Sequence, residues 1–324
     1  MTTPANPDAT SRRGTMAALR SIDWRSYIIY IGFVLVFAFF AIALRDEGFL
    51  TSNNLLNIVR QTATISVMAV AMTFVIGAAQ IDLSIGALAG LASVTTAMAI
   101  AAFGVPAGIV VGLLTGLIVG AANGALVAYL SIPSFLVTLG MLGIVSGTAQ
   151  WITDTAPVPI LDDGYNFVFG GGDFGPVPSL VVWTAIVGLA GHIILRRTGF
   201  GRRVLATGGN AVAARFSGVD TRRITFLVLA GMGLVAGFAG MLYAGRLQSG
   251  RFLWGNGDEL SVIAAVILGG TSLFGGRGTV VGTLVGSLLI GLINNGLILL
   301  GLDFSQQLIV RGLVIILAVA LARR

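Results

Sequence analysis

The chain has 324 residues, of which 56% are hydrophobic and 10% charged, and its mean hydropathy is +0.96. Soluble proteins carry about a quarter charged residues, so this composition excludes an ordinary soluble domain and indicates a polytopic α-helical membrane protein. The formal net charge of +6 comes from arginines that lie between apolar segments and not on one soluble face, so binding to nucleic acid is not expected.

Residue types that are absent narrow the chemistry further. The sequence contains no cysteine and no lysine, and His192 is its single histidine. Disulfides, thiolate chemistry, a multi-histidine metal site and a P-loop are therefore excluded. We expect no metal or cofactor on this chain, and no ATP hydrolysis by the chain alone.

The amino-terminal residues 1–26 are polar, contain four arginines and predict a cytoplasmic tail. A first membrane span follows at 27–44. A signal peptide is the alternative, but the apolar run has full span length and many spans follow it. A short outer segment is expected from Arg45 to Gln61.

Residues 62–103 form 42 residues with one charge, Asp82. As a single helix they would extend about 63 Å, roughly twice the hydrocarbon thickness, so the helix is expected to break at 80–86. A carboxylate inside the membrane indicates a functional site. Alternatively, Asp82 or Ser84 only caps the following helix. Both interpretations stay open.

The span at 105–130 has glycines at every fourth position, 112, 116, 120 and 124, which predicts a tightly packed helix face. Asn123 lies on the same stretch and either packs across helices or faces a pathway. Further spans are predicted at 134–152, 179–195, 225–245, 260–270, 280–300 and 307–322. The span at 260–270 is short, and the glycines after it are typical of a broken helix.

The segment 196–224 has seven arginines and one acidic residue, Asp220, whereas 153–178 has four aspartates and no arginine. The positive-inside rule places the first segment in the cytoplasm and the second outside. Ten spans put both termini on the cytoplasmic side, in agreement with that asymmetry. Within the arginine segment, Asn210 is expected to start a short helix and Gly218 to end it. This helix is either a surface feature or a docking element.

Three motifs carry a family resemblance: IDLSIG at 81–86, TGGNAVAARFSG at 207–218, and LGGTSLFGGRGTVVGTLVGSLLIGLINNGL at 268–297. In order and spacing they resemble permease subunits of ribose-type sugar ABC importers, from about residue 25 to the carboxyl terminus. The resemblance implies an all-α, type II importer-like permease domain over 27–324 with about ten transmembrane helices. It implies a multi-pass protein of the bacterial inner or plasma membrane.

The same resemblance implies the partners. Two permeases, identical or homologous, pair in the membrane, and ATPase subunits that hold ATP and Mg²⁺ bind their cytoplasmic coupling loops. An extracellular or periplasmic binding protein delivers a monosaccharide or related polyol for import by alternating access. The residues that match the coupling loop are Gly208, Gly209, Asn210, Ala213, Ala214, Arg215, Ser217 and Gly218.

Polarity inside the membrane suggests which residues meet the substrate, because a neutral polyol needs amides and hydroxyls. The candidates are Gln80, Asp82, Ser84, Asn123, Asn294 and Asn295. One departure concerns Ala79 and Gln80, since the family commonly has two glycines there.

Three other functions are alternatives to sugar import. A branched-chain amino-acid permease is the nearest alternative, but a zwitterionic substrate favours paired charges near the pathway. A partner-free carrier or channel predicts acid or histidine relays and gives the 196–223 helix no role. An intramembrane enzyme lacks a cysteine and an H-E-x-x-H motif.

Overall fold

The computed structural model describes residues 28–322, so the predicted cytoplasmic tail 1–26 lies outside the described residues. Helices make up most of the described chain. They are α1 (Ile28–Ala43), α2 (Ser52–Gly77), α3 (Ile85–Phe103), α4 (Val105–Ala128), α5 (Ser134–Thr153), α6 (Asp163–Asn166), α7 (Ser179–Arg197), α8 (Gly199–Gly209), α9 (Ala211–Phe216), α10 (Thr221–Arg246), α11 (Asp258–Leu268), α12 (Val280–Leu299) and α13 (Phe304–Ala322).

Strands are confined to two short antiparallel ladders. The first pairs β1 (Val158–Pro159) with β4 (Ser249–Gly250), and the second pairs β2 (Asp173–Phe174) with β3 (Val177–Pro178). A π-helical turn at Phe167–Gly171 lies between them in the chain. The first ladder joins the connection after α5 to the connection after α10.

Seven helices among the described residues are long and apolar enough to cross a membrane: α2, α3, α4, α5, α7, α10 and α12. Helices α1 and α11 are shorter, with 16 and 11 residues. The prediction of an all-α polytopic membrane protein is confirmed. The count of ten spans stays a prediction.

The predicted outer segment from Arg45 to Gln61 is wrong in its second half, because α2 begins at Ser52. Thr51 caps this helix, and its hydroxyl oxygen accepts the backbone N–H of Asn54 at 3.3 Å. The first turns of α2 are polar, so hydropathy alone placed the start of the helix ten residues too late. The full helix has 26 residues.

Helices α2, α3 and α10 form most of the buried core. The glycine spacing predicted close packing, and α4 does cross α10 at these positions. A Cβ atom added at Gly116 would overlap the carbonyl oxygen of Gly233, and one at Gly120 would lie 2.7 Å from the Cα atom of Gly233. The prediction of a tight helix pair is confirmed, and the structure supplies the partner.

A polar seam joins α2 to α12. The hydroxyl groups of Ser66 and Ser287 lie 2.6 Å apart, and those of Thr73 and Thr283 lie 2.9 Å apart. All four side chains are buried. Hydroxyl pairs of this kind hold helices together where lipid provides no hydrophobic drive.

The connection between α5 and α7 is fastened to the bundle by Tyr165. Its hydroxyl donates to the backbone oxygen of Met241 at 3.0 Å, and its ring stacks on Phe169 with centroids 4.8 Å apart. Burial raises the pKa of Tyr165 well above its usual value, so the phenol stays protonated and continues to donate.

Candidate functional site

The predicted helix in the arginine-rich segment is present, and a second helix precedes it. Asn210 caps α9, and its side-chain oxygen accepts the N–H of Ala213 at 2.9 Å. Gly218, at φ +81°, lies just beyond the end of α9 as predicted. The preceding helix α8 is capped by Thr198, which accepts from Gly201 at 3.3 Å.

Helix α8 was missed by the sequence interpretation. Its buried residues Gly201, Val204 and Thr207 recur at intervals of three, while Arg202 and Arg203 are exposed. That spacing was the available signal, but glycines at both ends of the helix concealed it.

The predicted coupling residues all lie on this α8–α9 unit or directly after it. Gly208 and Gly209 end α8, Asn210 caps α9, Ala213, Ala214 and Arg215 belong to α9, and Ser217 and Gly218 follow it.

Two exposed apolar side chains of α9 were not among the predicted residues. Val212 is 61% exposed and Phe216 is 89% exposed. Because they are four residues apart, they share one face of the helix. An exposed apolar pair on a short surface helix is typical of a site where a partner protein docks.

The motifs at 207–218 and 268–297 meet the end of α2, which lies just before the motif at 81–86. The N–H of Gly276 donates to the carbonyl oxygen of Gly77 at 3.0 Å. A Cβ atom at Gly208 would overlap that same carbonyl oxygen, and one at Gly275 would lie 2.7 Å from the carbonyl oxygen of Gly208. Backbones from these two motifs and from the end of α2 are therefore in direct contact, which only glycine allows.

The departure from the family pattern at Ala79 lies in the turn that ends α2. The N–H of Gln80 donates to the carbonyl oxygen of Val75 at 2.9 Å, which closes a left-handed helix end at Ala79. Ala79 has φ +58° there. A side chain in this conformation costs about 1–2 kcal/mol, so glycine would be the relaxed residue at this position.

Beyond this turn the chain has no regular secondary structure up to Ser84, and helix α5 holds it in place. The hydroxyl oxygen of Ser134 accepts the N–H of Ile81, and that of Thr138 accepts the N–H of Leu83, each at 3.1 Å. Ser134 and Thr138 were not predicted as site residues. They are four residues apart at the start of α5, so their hydroxyls share one face of the helix. This spacing was the available sequence signal that both could bond to the same neighbouring segment.

Asp82, Ser84 and Asn123 are brought together as one fully buried cluster. Asp82 Oδ1 accepts the N–H of Ser84 at 2.9 Å and its hydroxyl at 2.6 Å, and Asn123 Nδ2 donates to Ser84 Oγ at 3.0 Å. Asp82 Oδ2 and Asn123 Oδ1 have no hydrogen-bond partner among the described residues. The cluster fixes the start of α3 inside the protein and leaves two acceptor atoms unused.

Asn295 lies in a different place from this cluster. It forms a reciprocal amide pair with Asn54 near the start of α2, with N–O distances of 2.9 and 3.0 Å. About 35 Å of helix separates Asn54 from Gly77 at the other end of α2. Asn294 is the neighbouring residue on α12 and is partly exposed. The predicted pathway residues thus divide into two groups at different levels of the bundle.

The end of the bundle opposite α8 and α9 has its own charged contacts. Arg60 on α2 forms an ion pair with Asp173 of the α5–α7 connection, with 2.6 Å between Nη2 and Oδ1. Tyr243 donates to Asp258 at the start of α11. These contacts tie the α5–α7 connection and the short helix α11 to the long helices.

A cavity of about 520 Å³ lies beside the α8–α9 connection. Gln80 lines it, so this predicted pathway residue faces the cavity and not the buried Asp82 cluster. The other lining residues are Ala78, Ala79, Val127, Ala128, Ser131, Ile132, Thr207, Gly208, Gly209, Asn210, Ala211, Arg215, Thr221, Arg222 and Thr225. None of the described lining residues carries a carboxylate.

Comparison with known proteins identifies the family of this chain. Residues 54–319 match the family described as branched-chain amino acid transport system / permease component. The chain belongs to this permease family. Members are transport subunits and not enzymes, and the chain is a multi-pass membrane permease. ABC permeases of this family function with an ATPase and a binding protein.

Several relatives match almost the whole permease. It is 41% identical to the probable ABC transporter permease protein YphD of Escherichia coli K12, covering 90% of this chain and 89% of that protein. It is 42% identical to the ribose import permease protein RbsC of Bacillus subtilis 168, covering 87% and 88%. It is 32% identical to the xylose transport system permease protein XylH of Escherichia coli K12, covering 96% and 95%. No solved structure matches the permease.

Proposed function

We propose that this permease is the membrane subunit of an ATP-driven ABC importer that moves a monosaccharide or related polyol of the ribose-like class into the cell. The observation that carries the proposal is the 41–42% identity to ribose import permeases over 85–87% of the chain. The names of the ribose and xylose permeases favour a sugar over a branched-chain amino acid as the substrate.

The proposed topology has ten crossings, formed by α1, α2, α3, α4, α5, α7, α10, α11, α12 and α13. With ten crossings both termini and the α8–α9 unit face the cytoplasm, and the α5–α7 connection faces outward. The arginine-rich segment supports this orientation through the positive-inside rule. The cell membrane, inner or plasma, is the proposed location.

The α9 helix is the proposed docking element for a separate ATPase, which would bind ATP and Mg²⁺. Val212 and Phe216 offer an apolar face, and burial of such side chains against a partner contributes about 1.5–3 kcal/mol each. The contacts of Gly208 with Gly77 and of Gly275 with Gly208 connect the end of α8 to α2 and to the loop before α12. Because Asn210 alone separates α8 from α9, movement of α9 by the ATPase would be transmitted through α8 to both.

The buried cluster of Asp82, Ser84 and Asn123 is proposed to lie on the moving part of the pathway. Its two unused acceptor atoms suit the hydroxyl groups of a polyol once the broken helix shifts. Gln80 would meet the substrate nearer the cytoplasm, and Asn294 and Asn295 nearer the outside. A second permease, identical or homologous, would complete the pathway, and a sugar-binding protein would dock on the outward connections.

The docking proposal is tested by replacing Val212 and Phe216 with aspartate and measuring how much ATPase co-purifies with the tagged permease. We expect association to weaken by about tenfold to a hundredfold for each lost apolar contact. Leu161→Asp is the matched control, because Leu161 is 87% exposed on the opposite end of the bundle.

Two results would contradict the proposal. Normal co-purification of the ATPase with the double variant would remove α9 as the docking element. Solute flux through the purified permease in liposomes without any ATPase would instead favour a partner-free carrier or channel.

A further inference from the structure

The 520 Å³ cavity beside the α8–α9 connection has a composition that a neutral sugar does not require. Two of its lining residues, Arg215 and Arg222, are cations, and neither forms an ion pair within the described part of the chain. Arg215 Nε donates to Thr221 Oγ1 at 2.8 Å, which fixes its guanidinium at the cavity wall. Guanidinium groups held in this way are typical of phosphate recognition.

We propose that this cavity binds the phosphate group of an anionic lipid from the cytoplasmic leaflet. The proposal rests on the orientation given under Proposed function, in which the α8–α9 end faces the cytoplasm. Basic pockets between membrane helices on that side are the usual places where anionic headgroups bind.

A buried hydroxyl inside the cavity provides an independent reason. Thr207 is 5% exposed, and its Oγ1 has no hydrogen-bond partner among the described residues. A buried hydroxyl without a partner costs free energy, so such groups are nearly always satisfied. A phosphate oxygen would accept this hydroxyl, and Ser131 adds a further donor at the wall.

The carboxylate of Asp220 does not cancel the positive charge of the two arginines. Asp220 borders a smaller cavity of about 280 Å³ that shares Arg215 and Arg222. Asp220 Oδ1 accepts the backbone N–H of Arg223 at 3.0 Å, so this carboxylate is occupied as the cap of α10. Two guanidinium groups against one carboxylate leave a net positive site.

The surroundings favour a lipid over a free anion. Ser131, which lines the cavity, follows Tyr129 and Leu130, which are 55% and 62% exposed. Tyr129 packs against Phe226 with ring centroids 5.9 Å apart. An exposed tyrosine and leucine at the end of α4 are typical of the membrane interface, and they would contact the acyl chains of a lipid whose headgroup enters the cavity.

The test is lipid binding to the full-length permease purified in detergent, followed by native mass spectrometry with phosphatidylglycerol or phosphatidylcholine. We expect the permease to retain phosphatidylglycerol preferentially. In R222Q/T207V this preference should fall by about fivefold to tenfold, since the variant removes two hydrogen-bond donors that line the cavity. The matched control is R202Q/R203Q, which removes two exposed arginines of the same segment that do not line the cavity.

Each result decides between specific alternatives. An unchanged preference in R222Q/T207V, or an equal loss in R202Q/R203Q, would overturn the proposal. If inorganic phosphate binds in an Arg222-dependent manner and the two lipids bind alike, the anion site stands and its lipid occupant is rejected. R222Q alone serves if the double variant does not elute as a monodisperse protein. Because lipid binding is measured without the ATPase, failure of the α9 docking test would leave this result unaffected.

Discussion

Asp82 shows how a carboxyl side chain is held inside a membrane protein. Burial removes the carboxylate from water, and Ser84 compensates with two hydrogen bonds to the same oxygen, Oδ1. Asn123 in turn donates to the hydroxyl of Ser84. The two sequence interpretations, a functional carboxylate and a cap for the next helix, are compatible in this geometry because the cluster sits where α3 begins.

At this scale we predict that Ser84→Ala destabilises the protein. The substitution removes one of the two donors to Asp82 and the acceptor of Asn123, and a buried polar group left without its partner costs about 1–3 kcal/mol. Chemical unfolding of the purified permease measures the loss. Thr148→Ala is the control, since the Thr148 hydroxyl bonds only within its own helix, to Ile144. Equal stability of S84A and wild type would show that Ser84 does not support the carboxylate.

Among the helices, the crossing of α4 and α10 depends on the absence of side chains. Gly116 and Gly120 lie against Gly233, and Gly112 lies against Met241. In contrast, Gly140 on α5 has no atom within contact distance of where its Cβ would be. Glycines in the neighbouring spans α4 and α5 therefore have opposite consequences for packing.

We expect Gly116→Ala to destabilise the permease although alanine has the higher helix propensity. The gain in propensity is about 1 kcal/mol, whereas the new methyl group would overlap a backbone oxygen that cannot rotate away. Gly140→Ala lacks this overlap and should be neutral or slightly stabilising. Thermal unfolding followed by fluorescence size-exclusion chromatography compares the two. A G116A protein as stable as G140A would mean that the crossing is looser than the structure shows.

The whole molecule has two different ends. At one end the α8–α9 unit contacts the end of α2 and the loop before α12, and the cavity lies beside the α8–α9 connection. At the other end the α5–α7 connection is held by Tyr165 and by the Arg60–Asp173 ion pair. An ABC importer needs two different ends, because the ATPase acts on one side of the membrane and the solute-binding protein on the other.

The proposed orientation is directly testable because the chain has no cysteine. Single cysteines at Leu161 and Ser217, both exposed, would report the two ends. We expect a membrane-impermeant maleimide to label Leu161→Cys from outside and Ser217→Cys only after the membrane is permeabilised. Normal uptake by both variants is the control for native folding. The reverse labelling pattern would invert the proposed topology.

The sequence by itself determined the class of protein, most of the helices and the capping of α9 by Asn210. These features depend on composition, on apolar runs and on hydrogen bonds between residues three positions apart, all of which are local. The sequence did not predict the start of α2 or the helix α8, because polar or glycine-rich helices give only weak local signals. The residues of the family resemblance pointed to a sugar permease, and the relatives agree.

Only the tertiary structure decided which distant residues meet. Asn123 could be placed beside Ser84, and Asn295 beside Asn54, only after the helices had been packed, since 39 and 241 residues separate the members of these pairs. The cavity with Arg215, Arg222 and Thr207 likewise forms from four separate stretches of chain. The physical reason is that side-chain partners across helices depend on crossing positions, and in a glycine-rich bundle many crossings are compatible with the same pattern of small residues.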